Sequence, residues 1–227
     1  MKVYEKIESL VFPENIYCVS CGDMLPAGHP YGLCESCISK ISWKAGPIEK
    51  AEGERHDFDC AFTVCVYNGF SKDIIYKLKF GGEPYIAKNM ARLMAETLAA
   101  NVPALHSRYI VCPVPMHKAK ESTRGYNQAA LLAEGIAERL GLMYAKALVK
   151  IKPTASMRTA RRPERLSLLD GSMALAKGIN VKGRDMILVD DVFTTGATAD
   201  ACSRVLKEGG ALSVSFISFA AVGEKEL

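Results

Sequence analysis

The chain has 227 residues, of which 49% are hydrophobic and 24% charged; these proportions exclude a disordered, collagen-like or coiled-coil chain and suit one medium domain plus a small accessory module. Its 29 Lys and Arg against 25 Asp and Glu leave a net charge of only +4, too little for the total to argue nucleic-acid or membrane binding, so any such claim must rest on local clustering. No run of ~18 uncharged apolar residues is present, and residues 1–12 carry two glutamates and no signal-peptide core, so a cytoplasmic protein without a membrane span is expected.

Residues 1–45 hold four of the eight cysteines and too few apolar side chains to pack a core unaided, so this module needs a staple. Cys18-x2-Cys21 and Cys34-x2-Cys37, with 12 residues between the pairs, have the spacing of two thiolate knuckles that converge on one tetrahedral Zn2+. Four thiolates leave no open coordination position, which makes the expected metal structural. His29 lies between the knuckles as a spectator, and Trp43 and Tyr31 are expected to pack against them. Residues 46–59 are polar and charged and read as a connection, with the main domain running over 60–227.

Residues 60–67 are β-branched and aromatic, which predicts a strand, and Asn68-Gly69 after them reads as a hairpin turn. Helical spacing of Ile74, Ile75 and Leu78, then of Met90, Leu93, Met94 and Leu98, predicts helices over 71–80 and 85–100 around Gly81-Gly82. A buried strand at 109–114 gives way to an amphipathic helix at 127–140 closed by Gly141. The apolar run 186–189, a helix at 199–208 and a strand at 212–221 complete an alternation that predicts a parallel α/β sheet. Cys60, Cys65, Cys112 and Cys202 stand in apolar contexts and read as buried small hydrophobes. His56, His106 and His117 read as surface residues.

The sharpest chemical feature is the strand that runs from Met186 into Asp190-Asp191-Val192-Phe193-Thr194-Thr195-Gly196-Ala197-Thr198. Carboxylates at the C-terminal edge of a strand can accept hydrogen bonds from sugar hydroxyls or hold a divalent cation through water. The threonines and Gly196 that follow present hydroxyls and backbone N–H groups at a helix N-terminus, where the dipole and the orphan donors suit a phosphate. Between Lys146 and Arg165 stand seven basic residues and one acid, a local charge that fits a closing lid, a footprint for single-stranded DNA or a solvated basic loop.

VDDVFTTGAT resembles the 5-phosphoribosyl-1-pyrophosphate (PRPP) loop of type I phosphoribosyltransferases, with Phe193 where that loop more often has a smaller aliphatic. Together with the zinc knuckle, YNGFSKDIIYKLKFGGEPYIA and CPVPMHKAKESTRGYNQAALLAEGIA, it resembles the ComF/GntX group of competence-associated phosphoribosyltransferase-like proteins over nearly the whole chain. The resemblance implies that Asp190 and Asp191 bind the ribose hydroxyls, that Thr194 to Thr198 wrap the 5-phosphate, and that Lys118 and Arg124 lie near the pyrophosphate. It also implies that Arg158, Arg161, Arg162 and Arg165 belong to a lid or contact DNA, although Met157, Leu168 and Met173 stand where the family pattern of that segment has Gln, Asn and Phe. The implied activity is transfer of phosphoribosyl from Mg2+–PRPP to an unknown acceptor with loss of pyrophosphate. The alternative is a PRPP-responsive adaptor without turnover, whose partners are single-stranded DNA and a helicase-like competence ATPase.

Overall fold

A computed structural model describes residues 15–26, 29–49, 55–102, 105–152, 169 and 171–223. Among them, six strands form one sheet and two form a separate ribbon. In chain order the elements are α1 (Glu35–Ile38), β1 (Trp43–Pro47), β2 (Cys60–Val66), α2 (Gly69–Phe80), α3 (Ile86–Asn101), β3 (Tyr109–Pro113), α4 (Lys118–Arg124) and α5 (Gln128–Leu140). There follow β4 (Met143–Tyr144), β5 (Leu148–Lys150), β6 (Met173–Leu175), β7 (Asp185–Phe193), α6 (Ala197–Glu208) and β8 (Ser213–Ala221).

The sheet order is β1-β2-β8-β7-β3-β4, with every pair parallel except β1 on β2. This is the expected α/β arrangement, a mostly parallel sheet with helices on both faces. The central strands β7 and β8 are buried along nearly their whole length, as continuous apolar runs between two helical layers must be. On one face, α2, α3 and α5 pack in a single core that continues into the cysteine module through Leu25, Leu33 and Ile41. On the other, α6 and the β5–β6 ribbon cover Phe58, Met186, Leu188 and Phe216.

Asn68-Gly69 is no hairpin turn. Asn68 caps α2 instead: its side chain accepts from the Ser71 N–H at 3.0 Å, and the Ser71 hydroxyl accepts from the Asn68 N–H at 2.9 Å. Asn and Gly serve helix starts as well as tight turns, and the serine three residues on decides between them. Between β3 and the helix at 127–140 the chain forms the further helix α4, with the His117 ring accepting from the Ala119 N–H and Gly125 ending the helix at φ +89°. The helix at 127–140 is as predicted, opened by Asn127 and closed by Gly141 at φ +65°.

The chain runs outward from β3 to the edge strand β4 and then returns to the other side of β3 as β7. Where a parallel sheet reverses its winding in this way, the loops after the two strands part and leave a crevice at their C-terminal ends. β3 ends at Pro113, paired in register with Val189, beyond which β7 runs on to Phe193.

Candidate functional site

Asp190 and Asp191 occupy the last part of β7, at that crevice. Strand pleating sends consecutive side chains to opposite faces, and the buried Asp191 meets the ammonium of Lys79, from the last turn of α2, in an ion pair. Asp190 is half-buried. Its carboxyl is pushed up to about 8, first by desolvation and then by the Asp191 charge, against the lowering influence of Lys79. Two adjacent carboxylates in a packed site cannot both ionise cheaply, and this one is built to receive positive charge or hydrogen-bond donors.

Two more cations, Lys120 and Lys150, feel the charge of the pair, and Arg124 lies beside Lys120. Lys120, on α4, is lowered by desolvation and by the charges of Arg124 and Lys79, while Asp191 and Asp190 raise it. Lys150, at the end of β5, is lowered mainly by desolvation and feels both Lys120 and Asp190. Arg124 donates to the Gln128 side chain and lies over the Phe80 ring at 4.8 Å. Lys118 is exposed at the start of α4, and Lys120 is the lysine of that helix whose charge reaches the aspartates. A strand end that carries two acids with basic groups near them is suited to a ligand that carries hydroxyls at one end and phosphates at the other.

The turn after β7 leads into α6. Gly196 caps that helix in the left-handed region at φ +76°, a conformation that costs other residues strain. Thr194, Thr195 and Thr198 are half-buried around it. The Thr195 hydroxyl oxygen is buried with no hydrogen-bond partner among the described residues. A buried unbonded hydroxyl is costly, and beside the open N–H groups of a helix N-terminus it fits a phosphate oxygen. Val192 and Ala197 complete the loop, the first packing toward the α3 side and the second toward the α6 side. Phe193 is accounted for by packing: its ring meets Phe58 at 6.0 Å and Phe216 at 5.5 Å.

The four N-terminal cysteines converge. Their sulfur atoms all lie within 4.8 Å of one another, and Cys21 and Cys34 are 3.7 Å apart, close to the ~3.8 Å edge of a tetrahedron with ~2.3 Å metal–sulfur bonds. Burial raises the Cys18 thiol, but backbone N–H groups of Cys21, Cys34 and Ser20 outweigh it and bring it to about 6. The cluster can therefore hold one metal ion such as zinc, with every ligand supplied by the protein. Lys77 ties it to the domain by donating to the Val19 and Ser20 carbonyls at 2.9 and 2.8 Å.

Cys65, Cys112 and Cys202 are buried as expected, while Cys60 is half-buried and donates to the Ser215 hydroxyl. Trp43 is exposed on the edge strand β1, and Tyr31 lies under Arg92 at 4.9 Å. His56 is not a surface residue: its side chain is 4% exposed and bonds Asp200. Arg158, Arg161, Arg162 and Arg165 lie outside the described residues, as do Met157 and Leu168; Met173 is buried on β6. Lys150 belongs to the basic run 146–165, whereas Lys79 carries no mark in the sequence beyond its place in the last turn of a helix, where a lysine reads equally well as a partner of the helix dipole.

No helix among the described residues is long and apolar enough to cross a membrane. No protein-family model matches the chain. It is 28% identical over 200 residues to the DNA utilization protein YhgH of Salmonella typhi, covering 87% of this chain and 80% of that one. Among solved structures, adenine phosphoribosyltransferase from Leishmania tarentolae aligns with a TM-score of 0.37 and 19% identity, covering 63% of this chain and 73% of that one. With competence protein ComFC of Bacillus subtilis the identity is 32% over 216 residues, 91% of this chain and 84% of the relative. A match of that identity and extent shows that the chain belongs to the ComF/GntX family of competence-associated, phosphoribosyltransferase-like proteins.

Proposed function

We propose that the chain binds Mg2+–PRPP at the end of β7 and transfers its phosphoribosyl group to an acceptor nucleophile with release of pyrophosphate. The observation that carries this reading is the succession, on one strand and turn, of the Asp190–Asp191 pair and the buried, unbonded Thr195 hydroxyl at the N-terminus of α6. Asp190 and Asp191 would accept the ribose hydroxyls, and Thr194 to Thr198 would enclose the 5-phosphate. The pyrophosphate would lie toward Lys120, Arg124 and Lys150, whose charges already reach the aspartates or one another.

In the reaction a bond forms between the acceptor atom and ribose C1 while the C1–oxygen bond to pyrophosphate breaks. No covalent protein nucleophile is required. When bound, Mg2+ would supply positive charge for the leaving pyrophosphate, and Asp190 and Asp191 would accept hydrogen bonds from its water ligands. The protein's part is to hold the ribose, offset the leaving charge and exclude water, a mechanism of positioning and electrostatics. At the knuckle, Zn2+ bound by Cys18, Cys21, Cys34 and Cys37 would be structural.

A second reading, a PRPP-responsive adaptor without turnover in the handling of single-stranded DNA, is favoured by the relatives named for competence and DNA utilization. Its partners would be single-stranded DNA and a helicase-like competence ATPase. Calorimetric titration of PRPP with and without Mg2+, followed by pyrophosphate release against nucleobases and single-stranded DNA, separates the two. Mg2+-dependent binding with release supports the transferase; binding without release supports the adaptor; no binding in either condition refutes both.

A further inference from the structure

The segment that enters β2 is strapped onto α6. Asp57 receives the Arg204 guanidinium at 3.1 and 3.2 Å, and Asp59 receives Lys207 at 2.8 Å. These are exposed contacts of modest strength. His56 goes deeper. Its Nδ1 lies 3.0 Å from the Asp200 carboxylate, which also accepts the Asp57 N–H at 2.9 Å, and its ring stacks on Phe58 with centroids 4.4 Å apart. Bonded along one edge and covered on one face, the imidazole has one orientation.

That orientation sets it against the threonine loop. A Cβ placed on Gly196 would meet the His56 Cε1 at 3.0 Å, the Phe193 Cζ at 3.1 Å and the His56 Nδ1 at 3.3 Å. The imidazole and the Phe193 ring therefore close around the glycine that turns the chain from β7 into α6. Asp200 links the two contacts, because the residue whose carboxylate aims the ring also donates its N–H to the Gly196 carbonyl at 2.8 Å, closing the first turn of the helix. Glycine at a left-handed position is the most mobile residue of such a loop unless its surroundings restrain it.

We propose that His56 is a positioning residue for the phosphate loop: its imidazole, aimed by Asp200 and stacked on Phe58, is the wall that holds Gly196 in its left-handed turn and so fixes the amides that would take the 5-phosphate. The proposal rests on the PRPP reading for its ligand but not for its effect on the loop. A preorganised anion site binds more tightly because the loop need not be ordered on binding.

The test uses the full chain and two readouts, Mg2+–PRPP affinity by calorimetry and amide hydrogen exchange over residues 194–200 without ligand. His56→Ala is expected to weaken binding at least tenfold and to speed loop exchange by a similar factor. His56→Gln, whose amide N–H can still donate to Asp200, recovers most of both. Should His56→Ala not fold, His56→Leu takes its place, since it fills the space without the bond to Asp200. Arg204→Ala cuts the outer strap at Asp57 and is expected to lower the Tm while leaving loop exchange at the wild-type rate. Unchanged loop exchange in His56→Ala, or equal acceleration in Arg204→Ala, overturns the proposal. A wild type that binds no PRPP, with the loop still loosened in His56→Ala, removes the ligand and leaves the positioning role.

Discussion

The Lys79 ammonium and the Asp191 carboxylate form an ion pair across the crevice, joining the last turn of α2 to the end of β7. The acid is 5% exposed in its side chain and the lysine 23%, so the carboxylate depends on this partner more than the lysine does. Removing one member of a fully buried pair costs ~3–5 kcal/mol; with the lysine still in reach of water, about 1–3 kcal/mol is expected for Lys79→Met. Urea denaturation of Lys79→Met, Asp191→Asn and the double variant checks this, because the double variant should lose clearly less than the two singles added together. Additive losses would mean that the pair contributes nothing as a pair.

Asp190 gives stability the opposite pH dependence from an ordinary salt-bridged acid. Its carboxyl, with an ordinary value of 3.8, is raised to about 8 in the folded chain, by desolvation first and by Asp191 second. The native state therefore holds the proton more firmly than the unfolded state, and the resulting stabilisation is present below pH ~4 and disappears as the pH rises through about 8. Asp190→Asn should leave stability unchanged near pH 4 and raise it progressively toward pH 8, while abolishing PRPP binding. The measurement is the difference between the two urea midpoints across that range; a difference that stays flat with pH would refute the shift.

The elements that decide the position of the site were legible because they follow simple periods. The apolar run into Asp190 is short and bounded by turn residues, which favours a buried strand, and the repeat from Met90 to Leu98 has the spacing of one face of a helix. Asn68-Gly69 was misread because asparagine suits turns and caps equally, and the choice is made by a reciprocal bond to Ser71. Lys79 and His56 escaped for a different reason. Each acquires its role from a partner far along the chain, Asp191 and Asp200 respectively, and nothing local to a lysine at a helix end or a histidine in a polar connection encodes such a pairing. The ribbon of β5 and β6 was equally hidden, since three-residue strands have too few positions to show alternation.

Cys34 tests the knuckle. Its backbone N–H lies 3.4 Å from the Cys18 sulfur and its own sulfur 3.7 Å from that of Cys21, so it links the two knuckles directly. Cys34→Ser should reduce bound zinc from about one ion per chain to near none, and should free Lys77 from the Val19 and Ser20 carbonyls by opening the first knuckle. Metal analysis of the purified protein reads the first effect, and faster proteolysis within residues 15–45 reads the second. Unchanged zinc content would remove the metal assignment.

The basic cluster between Lys146 and Arg165 distinguishes the two functional readings by its salt dependence. Lys150 stands at the end of β5, opposite Met173 on β6, so this ribbon brings one member of the cluster beside Asp190. A lid acts on the ligand in the crevice, whereas a DNA footprint acts by releasing counterions from phosphates, at ~0.7 of a unit of log–log salt slope per phosphate on a single strand. Replacing Arg158, Arg161 and Arg162 together by glutamine should therefore lower the slope for single-stranded DNA by ~2 if each contacts a phosphate. An unchanged slope with weaker PRPP binding would assign the cluster to the lid, because a group that closes over the crevice affects the ligand beneath it and not the ions around a polymer.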